Sequence, residues 1–417
     1  MKRKILTGSI AVVSLLALAG CGGGKTGKKS VDVLVWCAEN ITTLTTSQLA
    51  VVKADLEAME EFADYEVKFT VNPVGEGDAA SNMINDVESG ADVYCFAQDQ
   101  LARLYTAGAL EEIKGSTKEA LIAANDAGSV SAATFSDKLV AYPLTSDNGY
   151  FLYYNKSIIS AQQAANWDTL LAAAVAANKE VHYNAGSAWY NFGFFFGAGA
   201  DSVWTTNASG KFTAYEDTYN GAAGLKAAKG LLKVVTNSAW VDSSDADKGF
   251  GGNAAAVVSG TWDYEKAKAK LGDNLACAKL PKFTVGTEEI QMGMFAGNKL
   301  IGVKPQTNTL KAIAAQKAAA YLSGEKAQLE RFNAVSWGPS NKVDQQNDAV
   351  KANPGLVALA EQMEAKAKPQ GQFPGKWWDT AGAIAGSLHD AGAAATDTQI
   401  QNILNTYHAA LDGMLDA

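Results

Sequence analysis

Aromatic and polar residues recur together just after apolar segments of this chain. Glu39 and Asn40 follow the first such segment, and Phe96 and Asp99 end or follow the third. Flat rings can cover the apolar face of a sugar, while carboxylates and amides hydrogen-bond its hydroxyl groups. A single residue of this kind is explained at least equally well as a core ring or a helix cap. Their recurrence is what indicates a binding cleft.

More residues of the same types occur later in the chain. One carboxylate and one amide stand where the first block of alternating segments gives way to a second block, and four tryptophans stand near predicted helix starts. These residues are Asp147, Asn148, Trp189, Trp262, Trp377 and Trp378. If the fold brings them to one opening, they complete an aromatic and polar ligand site.

Catalysis is an alternative use for the same carboxylates. Asp99 and Asp147 could serve as the acid and the base or nucleophile of an exported glycoside hydrolase. The chain has 44 acidic residues, so finding one such pair is weak evidence. There is no G-x-S-x-G or H-E-x-x-H motif, and the three histidines are isolated in the sequence. We therefore expect no catalytic residues, no metal site and no cofactor.

Residues 75–80 match G-x-G-x-x-A between a predicted strand and a predicted helix, a pattern also found in dinucleotide sites. Two carboxylates within the turn, Glu76 and Asp78, would repel a pyrophosphate. We interpret the segment as a structural turn in which Asp78 caps the helix. Lining a ligand cleft is compatible with this, because open α/β sheets bind ligands at the carboxyl ends of their parallel strands.

The elements that must position these side chains alternate between strand and helix. In the first block the predicted strands are 31–37, 66–71 and 91–96, and the predicted helices are 47–62, 78–90 and 101–108. In the second block the strands are 151–155, 180–183, 254–258 and 275–278, and the helices are 167–177 and 219–235. A strand at 300–303 and a helix at 310–322 follow, and then helices at 355–366, 378–389 and 398–414. Successive βα units predict parallel sheets covered by helices.

The N-terminus has the pattern of an export signal. Basic residues 2–4 precede the apolar run 10–19, which is too short to span a bilayer. The run ends at Leu18-Ala19-Gly20-Cys21 and resembles the lipobox of bacterial lipoproteins. This implies a signal peptide over residues 1–20, lipidation of Cys21 and a flexible tether over residues 21–30. An ordinary secretory signal with an incidental Cys21 is the alternative.

The length, net charge and cysteine content of the chain limit its domain organisation and its classes of partner. About 390 residues follow the tether, more than one hydrophobic core usually serves, so we expect two lobes. The formal net charge of −9 disfavours nucleic acid and anionic lipid as binding partners.

Cys37, Cys95 and Cys277 form no disulfide framework. Cys37 and Cys95 end predicted strands, and we expect two buried thiols there, with a disulfide bridge as the alternative.

Several ordered motifs resemble those of one protein family. Segments 90–93, 96–99 and 108–110 are similar to its G-P-D region with an aromatic residue and Asp, and segments 138–143 and 154–156 to its K-L-x-A-Y-P and Y-N-K motifs. Segment 259–262 is similar to its N-G-P-W motif, and Trp377 and Trp378 stand where it keeps an aromatic pair. In order and spacing the chain resembles the extracellular solute-binding proteins of ABC importers, of the maltose/maltodextrin-binding type.

The resemblance implies an α/β, two-lobe periplasmic-binding-protein-like fold, in which each lobe is a mostly parallel sheet flanked by helices. An N-lobe would comprise residues 31–146 with 297–337, and a C-lobe residues 147–296 with 338–417. Three crossovers would form the hinge near residues 145–149, 292–297 and 337–341. The ligand cleft would lie at this hinge.

The resemblance also implies function. The family's sugar-contacting positions carry over onto Phe96, Asp99, Asp147, Trp189, Trp262, Trp377 and Trp378, with Glu39 and Asn40 as looser matches and Asn148 beside them. Where maltose binders have Trp, Arg, Glu and Tyr, this chain has Phe96, Gln100, Ser187 and Trp189.

The resemblance implies a monomeric, lipid-anchored receptor on the extracellular face of a bacterial membrane. It would capture maltose or maltodextrin by hinge closure and deliver it to an ABC permease. A non-sugar solute, such as an amino acid, polyamine or metal chelate, is a further alternative.

Overall fold

The computed structural model describes residues 28–415. The predicted signal peptide, Cys21 and residues 22–27 of the predicted tether lie outside the described residues. The first strand begins at Lys29, so the last residues assigned to the tether belong to the folded part of the chain. No helix within residues 28–415 is long and apolar enough to cross a membrane.

Strands occur along most of the described chain. They are β1 (Lys29–Cys37), β2 (Tyr65–Pro73), β3 (Val93–Ala97), β4 (Thr134–Phe135), β5 (Lys138–Leu139), β6 (Tyr142–Asn148), β7 (Phe151–Asn155), β8 (Glu180–His182), β9 (Ser202–Thr206), β10 (Phe212–Asp217), β11 (Trp240–Val241), β12 (Ala254–Ser259), β13 (Leu275–Ala278), β14 (Lys282–Val285), β15 (Glu288–Gln291), β16 (Met294–Val303) and β17 (Ala367–Pro369).

Helices connect and cover these strands. They are α1 (Thr42–Glu57), α2 (Ala79–Asn85), α3 (Leu101–Thr106), α4 (Gly115–Ala124), α5 (Ala127–Ala132), α6 (Ala161–Ala164), α7 (Trp167–Ala176), α8 (Ala188–Ala198), α9 (Ala222–Val235), α10 (Ala246–Gly251), α11 (Tyr264–Leu271), α12 (Thr309–Leu322), α13 (Glu325–Val335), α14 (Asp348–Lys351), α15 (Pro354–Lys366), α16 (Gly375–Ala391) and α17 (Asp397–Ala409).

The first large sheet has the strand order β17-β16-β3-β1-β2, with β6 also paired to β16. Strands β1, β2 and β3 are parallel, whereas β16 runs antiparallel to β3 and β6. In β1 alternate residues from Val31 to Cys37 are buried, which fits a strand with one covered face. Strand β3 is buried almost throughout, as expected for a central strand between two helical layers.

The second large sheet has the order β11-β8-β12-β7-β13. Strand β8 is parallel to both β11 and β12, and β7 is antiparallel to β12 and β13. Residues 151–154 of β7 are all buried, because helices cover both faces of the sheet.

Two separate hydrophobic cores give the chain its two lobes. The first core contains residues from Val31 to Trp337 and belongs to the N-lobe, and the second contains residues from Tyr150 to Met414 and belongs to the C-lobe. Strand β16 joins them, since Phe295 packs in the second core and Ile301 in the first. The two-lobe α/β fold is thus the observed one, while the residue boundaries of the lobes and the three crossovers stay predictions.

Several element predictions need correction. Helix α2 ends at Asn85 rather than at residue 90, because the Asp86 side chain accepts a hydrogen bond from the Ser89 N–H and turns the chain. Asp78 occupies the N-cap position of α2, but its side chain makes no capping hydrogen bond. The last helix ends at Ala409 and is followed by a short 3₁₀ turn.

Helix α8 and the hairpin of β9 and β10 were not predicted from the sequence. Helix α8 carries Phe192, Phe194 and Phe195 on several sides, all fully buried, so it lacks the one-sided pattern that marks a surface helix. Gly193 lets this helix pack directly on the backbone at Gly293, where a Cβ would lie 2.5 Å from a carbonyl oxygen.

Candidate functional site

A cleft of about 800 Å³ lies between the two lobes. This volume suits a small-molecule ligand. The cleft is lined by Ala38, Glu39, Asn40, Glu76, Gly77, Ala97, Asp99, Gln100, Arg103, Asn148, Ser187, Trp189, Trp262, Lys266, Lys299, Trp337, Gln370 and Trp378.

The N-lobe side of the cleft is polar. Glu39 and Asn40 form a 3₁₀ turn directly after β1, and Asp99 lies in the 3₁₀ turn after β3. Parallel strands end at the same edge of a sheet, so these turns meet at one rim. Gln100 fixes a third turn there, since its side chain accepts from the Ala80 N–H and donates to the Gly77 carbonyl.

The C-lobe side is aromatic. Trp189, at the start of α8, stacks on Phe295 with ring centroids 5.4 Å apart. Trp378, in the first turn of α16, lies with its ring centroid 6.4 Å from that of Trp189. Both indoles are partly exposed and line the cleft. They form a pre-arranged apolar surface on which a flat ligand face can stack.

Trp262 reaches across from the C-lobe. It lies in the 3₁₀ turn that follows β12, yet its ring packs against the first core. Gly260 permits this position, because a side chain there would collide with the Trp262 ring and with the Gly149 carbonyl. The indole remains partly exposed at the cleft surface.

Phe96 and Trp377 are placed away from the cleft lining. Phe96 is fully buried in the first core, with its ring centroid 5.7 Å from that of Tyr94. Trp377 is fully buried in the second core, and its indole N–H donates to the Tyr407 hydroxyl at 2.9 Å. Successive helix residues point about 100° apart, so the pair at the start of α16 divides between core and cleft. Both residues are better explained by packing than by ligand contact.

Asp147 is also buried and does not line the cleft. Its Oδ2 accepts hydrogen bonds from the Thr261 hydroxyl at 2.5 Å and from the Gly338 N–H at 2.6 Å. The carboxylate thus ties together three segments that are distant in sequence. The neighbouring residue Asn148 lines the cleft. The hypothetical catalytic pair is therefore split, with Asp99 at the cleft and Asp147 beneath it.

Burial raises the pKa of Asp99 to about 7. A hydrogen bond from the backbone N–H of Asp99 itself opposes this effect most, and Arg103 and Gln370 also favour the ionised form. A carboxyl group with this pKa changes charge near neutral pH, so it can either donate or accept a hydrogen bond.

The sequence analysis missed several lining residues. Glu76 and Gly77 follow β2 in the turn at residues 75–80, which the strand-end argument allowed to line a cleft but which was not chosen as ligand-binding. The others are Arg103, Lys266, Lys299, Trp337 and Gln370. Lys299, Trp337 and Gln370 reach the cleft only because the chain returns to it late, which no local pattern reveals.

Cys37 and Cys95 are free, buried thiols on adjacent strands. Burial raises the pKa of Cys37 to about 11. Within the described part of the chain, no three His, Cys, Asp or Glu side chains gather in a way that could hold a metal ion.

Two α/β lobes, a cleft between them and a strand shared by both cores define a hinged, solute-binding architecture. The chain belongs to the bacterial extracellular solute-binding protein family, whose sequence profile matches residues 25–358. No curated protein matches the chain.

Solved structures share the fold. One, described as being with acarbose, is 25% identical with a TM-score of 0.78, covering 93% of this chain and 99% of the other. The maltodextrin-binding protein MalE1 from L. casei BL23 is 22% identical with a TM-score of 0.74, covering 93% and 100%. The Thermus thermophilus maltotriose-binding protein, bound with maltotriose, is 19% identical with a TM-score of 0.71, covering 91% and 100%.

Proposed function

We propose that the cleft binds a neutral oligosaccharide of the maltose or maltodextrin type. The observation that carries the proposal is that Trp189, Trp262 and Trp378 line the same cleft as the polar turns of the N-lobe. Indoles stack on the apolar faces of sugar rings, and carboxylates and amides hydrogen-bond the hydroxyls at their edges. Structural neighbours described as binding maltotriose and maltodextrin support this choice of ligand.

Hinge closure is the proposed mechanism. The ligand favours the closed state only to the extent that it contacts both lobes better there than in the open state. Asp99 and Glu39 would act from the N-lobe, and Trp189 and Trp378 from the C-lobe. Asp147 would keep the hinge segments in register through Thr261 and Gly338.

We further propose that the receptor is a monomer attached to the extracellular face of the membrane through a lipid on Cys21. From there it would hand its ligand to an ABC permease. The basic and apolar N-terminal segment and the match to an extracellular solute-binding family support this location. Mass spectrometry of the N-terminal peptide tests the anchor, with a diacylated Cys21 as the expected result.

Trp262→Ala tests the cleft. We expect maltotriose to change the tryptophan fluorescence of the unaltered protein, and the variant to bind about 2 kcal/mol more weakly, roughly a 30-fold loss, because a central aromatic anchor is removed. Trp240→Ala is the matched control, since Trp240 is also partly exposed but packs near His389 outside the cleft lining. Unchanged emission across maltose, maltotriose and maltotetraose would count against the proposal, as would equal losses in both variants.

Hydrolysis is the competing function for a sugar-binding cleft. The family and the structural neighbours are binding proteins, and the burial of Asp147 separates the one carboxylate pair proposed from the sequence. Incubation with maltoheptaose should leave the sugar intact. Shorter products, detected by chromatography, would favour the hydrolase.

A further inference from the structure

Lys299 places an ammonium group in the floor of the cleft. Strand β16 holds the residue opposite Ala97 of β3, at the polar rim of the N-lobe. The side chain is only 5% exposed, although the residue lines the cleft. Burying an ammonium group costs free energy unless neighbouring groups stabilise its charge. The groups around Nζ therefore indicate the role of this side chain.

Two aromatic faces and one carboxylate surround this ammonium group. Nζ lies 3.3 Å from the ring centroid of Trp337 and 5.4 Å from that of Trp262, both within range for attraction to a ring face. Its ion-pair partner is Glu76, whose Oε1 is 3.8 Å away. That separation exceeds a normal hydrogen bond.

The Glu76 carboxylate is also incompletely satisfied. Its side chain is 14% exposed, and Oε1 is buried without a hydrogen-bond partner among residues 28–415. The cleft floor thus holds a strong donor and a strong acceptor close together but not bonded to each other. A third group that hydrogen-bonds to both would stabilise the ammonium group and the carboxylate, because a buried polar atom without a partner is unfavourable.

A hydroxyl group is the partner that suits both. It accepts a hydrogen bond from an ammonium group and donates one to a carboxylate at the same time. An anionic ligand group would be repelled by Glu76, and a cationic one by Lys299. A methyl ether could still accept from Lys299 but would have no proton for Glu76.

We propose that Lys299 and Glu76 form a specificity-determining pair that binds one hydroxyl of the ligand. The hydroxyl accepts from Lys299 Nζ and donates to the Glu76 carboxylate, while the Trp262 ring beside it covers the adjoining sugar face. The inference rests on the proposed function and adds to it the selection of one hydroxyl position. A ligand that lacks this hydroxyl leaves both groups without that hydrogen bond and is bound more weakly.

Lys299→Met tests the pair, because it removes the donor and keeps an unbranched side chain. We expect maltotriose affinity, measured by titration calorimetry, to fall roughly tenfold or more, as for loss of a hydrogen bond to a charged group. Lys68→Met is the control for loss of one positive charge, since Lys68 is an exposed residue of β2 outside the cleft lining. Thermal melting of each variant verifies folding.

Monodeoxy and mono-O-methyl maltosides provide the readout that packing alone would not change. The unaltered protein should discriminate by about tenfold or more against the analogues modified at one hydroxyl, and Lys299→Met should lose that discrimination. The proposal is overturned if the unaltered protein tolerates modification at every position, or if the variant weakens all analogues by one common factor. Failure of the unaltered protein to bind any oligosaccharide would instead refute the proposed function, and the pair with it.

Discussion

Trp377 and Trp378 are neighbours in sequence with opposite environments. The first is fully buried and hydrogen-bonded to Tyr407, and the second is partly exposed at the cleft. A sequence motif identifies the pair as a unit. Only the direction in which α16 docks on the second core places one ring in the core and the other at the cleft.

Alanine substitution should separate these two roles. Trp377→Ala is expected to lower the free energy of unfolding by about 3–5 kcal/mol, because it leaves a large cavity in a packed core. Trp378→Ala should cost less stability and weaken maltotriose binding more. Urea denaturation and calorimetric titration of both variants measure the two effects, and the reverse assignment would contradict the structure.

Asp99 makes stability depend on pH. Its pKa is raised to about 7 by burial, whereas an aspartate in an unfolded chain has a pKa of about 4. The folded protein therefore holds this proton more tightly, and the contribution of Asp99 to stability falls as the pH rises between those two values. The loss is complete above the folded-state pKa.

Asp99→Asn should remove this dependence while keeping the shape of the side chain. The melting temperature of the variant relative to the unaltered protein, both without ligand, is expected to rise from about pH 4 to about pH 7 and then to level off. A difference that stays constant over this range would show that Asp99 has an ordinary pKa.

At the scale of elements, the hairpin of β9 and β10 forms a contact between the lobes. Its tip touches α3 of the N-lobe, where the Thr106 hydroxyl donates to the Ser209 carbonyl at 2.7 Å. Gly210 has a φ of +84°, and a Cβ there would collide with the Thr106 hydroxyl and lie 2.7 Å from the Ala102 carbonyl oxygen. The glycine is thus required both by its conformation and by the close approach.

Gly210→Ala should push the hairpin away from α3. Loss of one contact of about 1 kcal/mol between the lobes is expected to weaken maltotriose binding about fivefold, because closure becomes less favourable. Gly199→Ala is the matched control, since Gly199 also has a positive φ of +93° but no atom within 4 Å of its added Cβ. Equal affinities in the two variants would show that the contact does not take part in closure.

The strands of the cleft rim could be predicted from sequence because each has a short apolar pattern followed by polar residues. The three terminal helices were also visible from their spacing. Helix α8 was not, because its phenylalanines are buried on all sides and leave no periodic signal. The hairpin was not either, because its strands are a small local pair outside both large sheets.

At the scale of the whole molecule, two cores and one shared strand explain why distant residues share a site. Glu39, Asp99, Trp189, Trp262 and Trp378 could be proposed from the sequence and line the cleft. Lys299 and Gln370 could not, because their positions depend on how β16 and the segment after β17 return between the lobes. Local sequence patterns indicate where strands end, but they do not indicate that a segment hundreds of residues later comes back to the same cleft.

Hinge closure predicts a change in overall dimensions. Small-angle X-ray scattering should show a smaller radius of gyration with saturating maltotriose than without it, because the lobes approach around the ligand. Gly210→Ala should reduce this change at subsaturating sugar. An identical scattering curve with and without bound sugar would mean that the cleft binds without closing.

The most direct test of the central claim is calorimetric titration of the full chain with maltose, maltotriose and maltotetraose. A cleft between the lobes lined by three partly exposed indoles predicts saturable binding at one site per chain, with a negative heat-capacity change from the buried apolar surface. Absence of saturable binding for all three sugars at millimolar concentration would contradict the account.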